Sequence, residues 1–225
     1  MPDAILYRNR AAVFERIDLG DQQRRQGFLA FAPACLKSSK PHFPPLWNKA
    51  KNALARMSHD KCAYCEGGIN STRTQQVDHF QPKSLFPSLA YDWGNYFLSC
   101  GGCNGAKSDK WHAVEYLRPD AHPSAKLQFH IDGTVTARHS GGPAEATIGD
   151  FGLKRDPLVR RRRMFLKQMQ GRLKDYIELC KENKKLGIRF ARNELVRLNA
   201  PDNPYSTALT QCFQREWKAV IRLKF

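Results

Sequence analysis

The 225-residue sequence predicts an α+β protein, in which a small module clamped by two cysteine pairs precedes a mainly helical C-terminal part. Two Cys-x2-Cys pairs enclose two short runs, residues 77–80 and 96–99, that are rich in aromatic and β-branched residues and are typical of strands. Further along, apolar side chains between Leu158 and Cys180 recur at helical spacing. Strands in one part and helices in the other indicate the α+β class.

Local patterns predict the remaining elements of the first half. Residues 45–58 read as an amphipathic helix, because apolar side chains recur there every three or four positions. After the second strand, Gly101-Gly102 is expected to form a turn, and a helix is expected from about Asn104 to Trp111. The chain divides into three predicted regions: an N-terminal segment with the lead-in helix at 1–58, the clamped module at 59–118, and a hairpin with a basic helical region at 119–225.

The second half begins with a hairpin signal. Alternating apolar residues flank Asp132-Gly133, which predicts a type I′ turn with positive φ at both central residues. Residues 138–149 are expected to be a loop, and a last helix is expected at 205–222. A long helix should start at Asp156-Pro157, with aspartate as its cap. Its apolar stripe should pack in the core, and consists of Leu158, Phe165, Met169, Leu173, Ile177 and Cys180.

The seven cysteines divide into two groups. Four have the spacing of a structural zinc site, namely Cys62, Cys65, Cys100 and Cys103. Because protein ligands fill all four positions, the zinc is expected to be structural, whereas a catalytic zinc keeps one position open. The other three have no close partner in the sequence and are expected to be small core residues: Cys35, Cys180 and Cys212.

The charge balance favours a polyanionic partner. Lysine and arginine total 37 against 21 acidic residues, a net charge of +16. Between Lys154 and Arg192 there are 14 basic and 4 acidic residues, so this segment alone carries +10. Such charge suits phosphate binding, although a solvated helix face is the alternative. No apolar run approaches the about 20 residues needed to cross a bilayer, and no signal-peptide pattern is present, so we expect a cytoplasmic protein without a membrane partner.

The residues between the cysteine pairs resemble the HNH endonuclease family, in the branch with a four-cysteine zinc. Asp78-His79 with Pro82 resembles the opening motif, Asn95 the middle asparagine and Asn104 the closing metal ligand. The Gly pair that often follows the opening motif is replaced by residues 83–86. The runs C-A-Y-C-E, D-H-F-Q-P-K, W-x-N-Y-x-L-S-C and C-N-x-x-K resemble the HNH component of Septu and retron-associated antiphage systems.

The resemblance implies a ββα-metal fold and a role for each motif residue. His79 would be the general base, because imidazole can accept a proton from water at neutral pH. Asp78 and Asn104 would hold one divalent cation, Mg²⁺ or Mn²⁺. Asn95 would orient the His79 ring through its backbone or side-chain carbonyl, with a plain turn asparagine as the alternative. Lys107 would contact a phosphate oxygen or be a solvated helix lysine.

The function implied by the resemblance is metal-dependent cleavage of DNA within a prokaryotic antiphage defence system. Two alternatives remain open: an RNA nuclease acting on tRNA, and a zinc-stapled nucleic-acid-binding module without catalysis. The implied partners are a Septu-type ATPase and, in a retron-associated system, a reverse transcriptase with its DNA product. Basic charge near the start of a helix opposes the helix dipole, and four arginines lie there: Arg160, Arg161, Arg162 and Arg163. Their position favours a contact with phosphate over local stabilisation. An acidic face of the ATPase is the other candidate partner of this run.

Overall fold

The computed structural model describes residues 43–69, 74–111 and 116–217. Predictions for residues 1–42, which include Cys35, and for the end of the last helix at 218–222 lie outside these ranges. Within them the protein is α+β, with two small sheets and a mainly helical C-terminal part, as the sequence predicts.

The clamped module contains a hairpin and two short helices. A 3-10 helix at Leu46–Ala50 continues into α1, Lys51–Met57, which confirms the lead-in helix. Strand β1, Gln75–His79, pairs antiparallel with β2, Tyr96–Cys100, close to the predicted runs. The connection between these strands contains two 3-10 turns, Pro87–Leu89 and Trp93–Asn95.

Helix α2, Gly101–Lys107, follows β2 directly. The predicted turn at Gly101-Gly102 is therefore wrong, as are the predicted helix limits at Asn104 and Trp111. Ser108 ends the helix with a φ of 50°. The two glycines lie in the first turn of α2, and a Cβ added to Gly102 would meet the Arg155 guanidinium at 2.9 Å. Close packing, rather than a turn, thus accounts for glycine at this position.

The second sheet pairs β3, Leu127–Phe129, with β4, Val135–Ala137. The hairpin is confirmed, but its type I′ turn is wrong, because Gly133 has a φ of 85° while Asp132 does not have a positive φ. The five-residue loop closes through two backbone bonds, from His130 N–H to the Thr134 carbonyl and from Gly133 N–H to the His130 carbonyl, at 3.0 and 2.9 Å.

Helix α3, Pro143–Asp150, occupies most of the region expected to be a loop, so that expectation is wrong. Proline stands in the first turn, where its missing N–H costs nothing. Ala144 and Ile148 bury one face of the helix, and the Thr147 hydroxyl donates to the Pro143 carbonyl at 2.7 Å. Tertiary burial of this face compensates for the weak helical signal of the Gly-rich sequence.

Three helices and a π-helical turn complete the described chain: α4 at Asp156–Lys181, α5 at Lys185–Leu198, α6 at Ser206–Cys212 and the turn at Phe213–Trp217. Arg155 stands at the N-cap of α4, so Asp156 does not cap the helix as predicted and instead pairs with Arg160 at 3.1 Å. Within the described residues, no helix is both long enough and apolar enough to cross a bilayer.

The predicted core residues of the C-terminal part differ in burial. Leu158, Met169 and Leu173 are buried, and Cys212 is fully buried as expected. Cys180 is exposed, so its assignment to the core is wrong. It lies near the end of α4, beyond Leu173, the last buried residue of that helix.

One hydrophobic core joins the module to the C-terminal part. Phe151 carries much of this contact, because its ring centroid lies 4.3 Å from that of Tyr64 and 5.1 Å from that of Tyr116. The Glu66 carboxylate adds a polar link by accepting from the Thr207 N–H at 3.0 Å. The helical part therefore braces the segment that carries the first cysteine pair.

Candidate active site and four-cysteine centre

The four predicted cysteines form one compact cluster. Their sulfur atoms all lie within 4.8 Å of one another, and the sulfurs of Cys65 and Cys100 are 3.9 Å apart. A zinc ion with Zn–S bonds of about 2.3 Å holds tetrahedral sulfurs about 3.8 Å apart, so the cluster fits such an ion. None of the four forms a disulfide. Among the described residues, it is the only cluster of three or more His, Cys, Asp or Glu side chains that could hold a metal ion.

Backbone bonds shape the first cysteine pair into a tight loop. The Cys62 N–H donates to the Gly67 carbonyl and the Glu66 N–H donates to the Cys62 carbonyl, each at 2.9 Å. Glu66 takes a φ of 58° to make this turn. The Ala63 N–H donates to the Leu98 carbonyl of β2 at 2.9 Å, which places the first pair beside the second.

Arg155 contacts the cluster from the N-terminus of α4. Its guanidinium donates to Cys103 Sγ at 3.4 Å and to Cys100 Sγ at 3.5 Å, and also to the Gly152 carbonyl at 2.9 Å. Cysteines that bind zinc are thiolates, so four of them around Zn²⁺ would leave a net negative charge that this guanidinium would offset. The sequence holds no signal for this contact, because 52 residues separate Arg155 from Cys103.

Replacing Arg155 with methionine should weaken the zinc affinity of the cluster roughly 10–100-fold, the usual cost of removing a hydrogen-bond partner of a metal ligand. Competition with a chromogenic chelator measures this affinity. Gly102→Ala should act in the same direction, since its Cβ would displace the guanidinium. Lys154→Met is the matched control, because Lys154 is exposed. Unchanged zinc affinity in Arg155→Met would contradict the assigned role.

A cavity of about 610 Å³ lies beside this centre, between β1, α2 and the connection after β1. Three of the four predicted catalytic residues line it: Asp78, His79 and Asn104. Ideal alternation would direct Asp78 and His79 to opposite faces of the sheet. Both reach this cavity because His79 is the last residue of β1.

His79 is buried and held by a backbone carbonyl. Its Nε2 lies 2.8 Å from the Ala90 oxygen, to which the Tyr96 hydroxyl also donates at 2.8 Å. A carbonyl only accepts, so Nε2 carries the hydrogen and the lone pair of the neutral ring is on Nδ1. Burial lowers the pKa of His79 to about 4, against the opposing effect of the Ala90 bond. The ring is therefore neutral at neutral pH, with an unprotonated Nδ1.

Asn95 acts on this ring only indirectly. Its Nδ2 donates to the Gln81 carbonyl at 2.9 Å and to the Leu89 carbonyl at 3.2 Å, and its Oδ1 accepts from the Gln81 N–H at 2.7 Å. These bonds tie together the connection that carries Ala90. The expectation that a carbonyl of Asn95 contacts the His79 ring is wrong, because the Ala90 carbonyl takes that position.

Asp78 is buried with partners on both oxygens. Lys107 Nζ donates to its Oδ1 at 3.1 Å and to the His79 carbonyl at 2.6 Å, and the Tyr64 hydroxyl donates to its Oδ2. Burial raises the pKa of Asp78 above its usual range, although Lys107 opposes the shift. Lys107 is fully buried, so the expectation that it contacts phosphate is wrong. It instead holds Asp78 in place.

Asn104 faces the cavity from α2. Its Nδ2 donates to Gln76 Oε1 at 2.8 Å, which orients the amide and leaves its carbonyl oxygen available. Asp78 can still offer lone pairs, since a carboxylate has about four acceptor positions and two are used here. A carboxylate and an amide oxygen suit Mg²⁺ or Mn²⁺, which take oxygen ligands and retain waters.

The four consecutive arginines do not form one surface. Arg162 is buried and donates to the Gly133 carbonyl at 2.7 Å, with its guanidinium 5.0 Å from the Phe129 ring centroid, so the expected phosphate contact is wrong for this residue. Arg163 donates to the Asp132 carbonyl at 2.7 Å. Arg160, paired with Asp156, and Arg161 are exposed. The helical period separates these neighbours into buried and solvated positions.

Comparison with known proteins agrees with this geometry. Residues 62–110 match the family model described as HNH endonuclease. The chain is 26% identical over 152 residues to Septu protein PtuB of Bacillus mycoides (strain KBAB4), and 42% identical over 65 residues to Septu protein PtuB of Bacillus thuringiensis.

These alignments cover 53% and 28% of this chain, and 52% and 25% of the two relatives. The chain thus matches about half of the first relative and a quarter of the second, and neither name refers to a retron. The chain therefore contains an HNH endonuclease domain and is similar to the Septu PtuB proteins.

Proposed function

We propose that this protein is a metal-dependent endonuclease that hydrolyses phosphodiester bonds in DNA, as an effector of antiphage defence. The observation that carries the proposal is the shared cavity, into which His79, Asp78 and Asn104 all project beside a four-cysteine cluster. A binding module without catalysis would not need a buried neutral imidazole at that point. The net charge of +16 supports a nucleic-acid substrate.

Each residue of the cavity has a separate task in this proposal. Nδ1 of His79 accepts a proton from the attacking water, while its Nε2–H stays on the Ala90 carbonyl. Asp78 and Asn104 hold Mg²⁺ or Mn²⁺, with Asp78 fixed by Lys107. The cation, when bound, polarises the scissile phosphate and stabilises the departing 3′ oxygen. The cysteines hold zinc, which ties β2 and α2 to the loop after α1.

Cleavage assays on matched substrates test this function. Labelled duplex DNA, single-stranded DNA and RNA of one sequence are incubated with the zinc-loaded protein, with and without added Mg²⁺. Omitting Mg²⁺ is preferable to adding a chelator, because a chelator would also remove zinc. Cleavage of DNA alone supports the proposal. Cleavage of RNA alone would show that RNA, and not DNA, is the substrate. Binding of DNA or RNA without cleavage would show that the protein is a nucleic-acid-binding module without catalysis.

A Septu-type ATPase is the proposed partner. The similarity to two proteins with Septu names supports such a partner. The exposed basic residues of α4, Arg160 and Arg161, could contact either the ATPase or nucleic acid. The cleavage assays should therefore be run with and without a Septu-type ATPase. A reverse transcriptase with its DNA product is the further candidate for a retron-associated system.

Replacing Arg160 and Arg161 with glutamine should weaken binding to all nucleic-acid sequences alike, because phosphate contacts do not read bases. The slope of log affinity against log salt should fall by about 0.9 for each duplex phosphate that the variant no longer neutralises. If the arginines instead dock the ATPase, the slope stays unchanged and complex formation fails. An effect on neither quantity would mean that both arginines are only solvated. Lys174→Gln, further along α4, is the control for charge alone.

A further inference from the structure

The cavity that contains His79 has one basic side chain in its wall. Among the described residues that line it, Lys83 is the only lysine or arginine, whereas Asp78 and Asp109 both contribute carboxylates. A phosphodiester in this cavity would meet acidic groups and a single ammonium. Lys107 cannot supply a second, because it is fully buried and bonded to Asp78 and the His79 carbonyl.

The Lys83 ammonium lies over the ring of Trp47. Nζ of Lys83 is 5.0 Å from the centroid of the Trp47 ring, within the distance at which a cation is attracted to an aromatic face. The same indole meets the His79 ring almost perpendicularly, with centroids 4.8 Å apart. One tryptophan thus contacts both the expected general base and the basic side chain of the described cavity wall. Trp47 itself is held by the 3-10 helix that leads into α1.

The ammonium keeps its capacity to donate. A contact with a ring face leaves the N–H donors of the ammonium available. Within the described ranges, no carboxylate lies within ion-pair distance of Lys83. The Lys83 side chain is half-buried and lines the cavity. Pro82, directly before it, restricts the backbone at this point. The Lys83 ammonium and the His79 ring thus contact the same indole, and an ammonium with available N–H donors is suited to an anionic substrate.

We propose that Lys83 binds the non-bridging oxygens of the scissile phosphate, and that Trp47 is the positioning residue that holds the ammonium in place. This inference rests on the proposed endonuclease function. Negative charge on these oxygens increases as the bond is cleaved, so a fixed ammonium stabilises the transition state more than the bound substrate. Lys83 should therefore affect kcat more than KM.

Lys83→Met tests the proposal, because methionine retains a flexible apolar stem against Trp47 but lacks the charge. On a substrate that the wild type cleaves, kcat/KM should fall by roughly 10²-fold, the lower bound for loss of one donor to a developing oxyanion. Lys83→Arg, which keeps the charge, should recover part of this loss. Lys110→Met is the control, since Lys110 is an exposed lysine of the same region paired with Asp150 at 3.7 Å. Melting temperature and zinc content should be unchanged in all three.

A binding measurement separates this proposal from the endonuclease function itself. In the His79→Ala background, which retains intact substrate, Lys83→Met should reduce the salt slope of oligonucleotide binding by about 0.9, as expected for one duplex phosphate contact. Wild-type kcat/KM and an unchanged slope in Lys83→Met would overturn the subsite while the nuclease function stands. A wild-type protein that neither binds nor cleaves nucleic acid would overturn both.

The positioning role of Trp47 has its own test. Trp47→Leu should lower kcat/KM in the wild-type background and have little further effect in Lys83→Met, because residues acting through one contact are non-additive. Full additivity of the two substitutions would remove Trp47 from the proposal and leave Lys83 as an independent contact.

Discussion

Replacing His79 with alanine should reduce Mg²⁺-dependent cleavage by roughly 10²–10⁴-fold, the range that a general base contributes. The substitution removes the Nδ1 lone pair that is proposed to accept a proton from the attacking water, while Asp78, Asn104 and the cysteine cluster stay in place. Zinc content, measured by elemental analysis, should remain that of the wild type. The cleavage rate is measured with saturating Mg²⁺, so that a change in metal affinity does not enter the result.

The His79→Ala substitution also removes packing contacts. The His79 ring packs edge-on against both Trp47 and Tyr96 and bonds the Ala90 carbonyl, so alanine also leaves a small void. We expect it to lower the free energy of unfolding by about 0.5–3 kcal/mol, the common range for single substitutions. His79→Gln is the companion variant, because its amide can still donate to Ala90 but is not a base. His139→Ala changes an exposed histidine and should cleave normally.

Full metal-dependent activity in both His79 variants would exclude this residue as the base. Loss of activity in His79→Ala together with retention in His79→Gln would instead point to a packing role for the ring. The two variants therefore distinguish chemistry from structure at one position.

Replacing Cys62 or Cys103 with serine should abolish stoichiometric zinc binding and render the protein insoluble. Structural zinc sites in isolated peptides bind with apparent free energies of about 10–16 kcal/mol, which exceeds the stability of most small domains. Cys103 lies in the first turn of α2 and Cys62 in the loop after α1, so loss of either ligand releases one side of the centre. Zinc per chain and the soluble fraction on expression are the two measurements.

Cys180→Ser is the matched control, because Cys180 is an exposed thiol outside the cluster. It should retain one zinc per chain and wild-type solubility. A native protein purified without stoichiometric zinc or another metal would contradict the assigned centre, as would a Cys62→Ser variant that folds and retains full zinc.

Sequence patterns were sufficient wherever neighbours along the chain determine the outcome. The double Cys-x2-Cys spacing predicted the cluster, since two ligands on each tight loop need only one long-range contact to meet. Enrichment in aromatic and β-branched residues predicted β1 and β2, and apolar periodicity predicted α4, because both signals come from neighbours along the chain. Three of the four residues expected at the active site, Asp78, His79 and Asn104, line one cavity, whereas Asn95 does not.

Errors arose where distant residues decide the environment of a side chain. Lys107 and Arg162 are basic and were expected at the surface, but Asp78 and the Gly133 carbonyl bind them inside the protein. The Gly-rich region of α3 became helical because the core covers its apolar face. Cys180 is exposed because it lies beyond Leu173, the last buried residue of α4.

What the sequence by itself determined is the chemistry of the site: four thiols for a metal, an imidazole, a carboxylate and an amide in a recognisable order. Only the tertiary structure decided how these groups are held. The His79 ring bonds the carbonyl of Ala90, Arg155 approaches the sulfurs of Cys100 and Cys103, and Lys83 brings positive charge to the described cavity wall. Backbone carbonyls occur at every position, and charged side chains many times along the chain. Their partners are therefore selected by packing between distant segments, which no local pattern encodes.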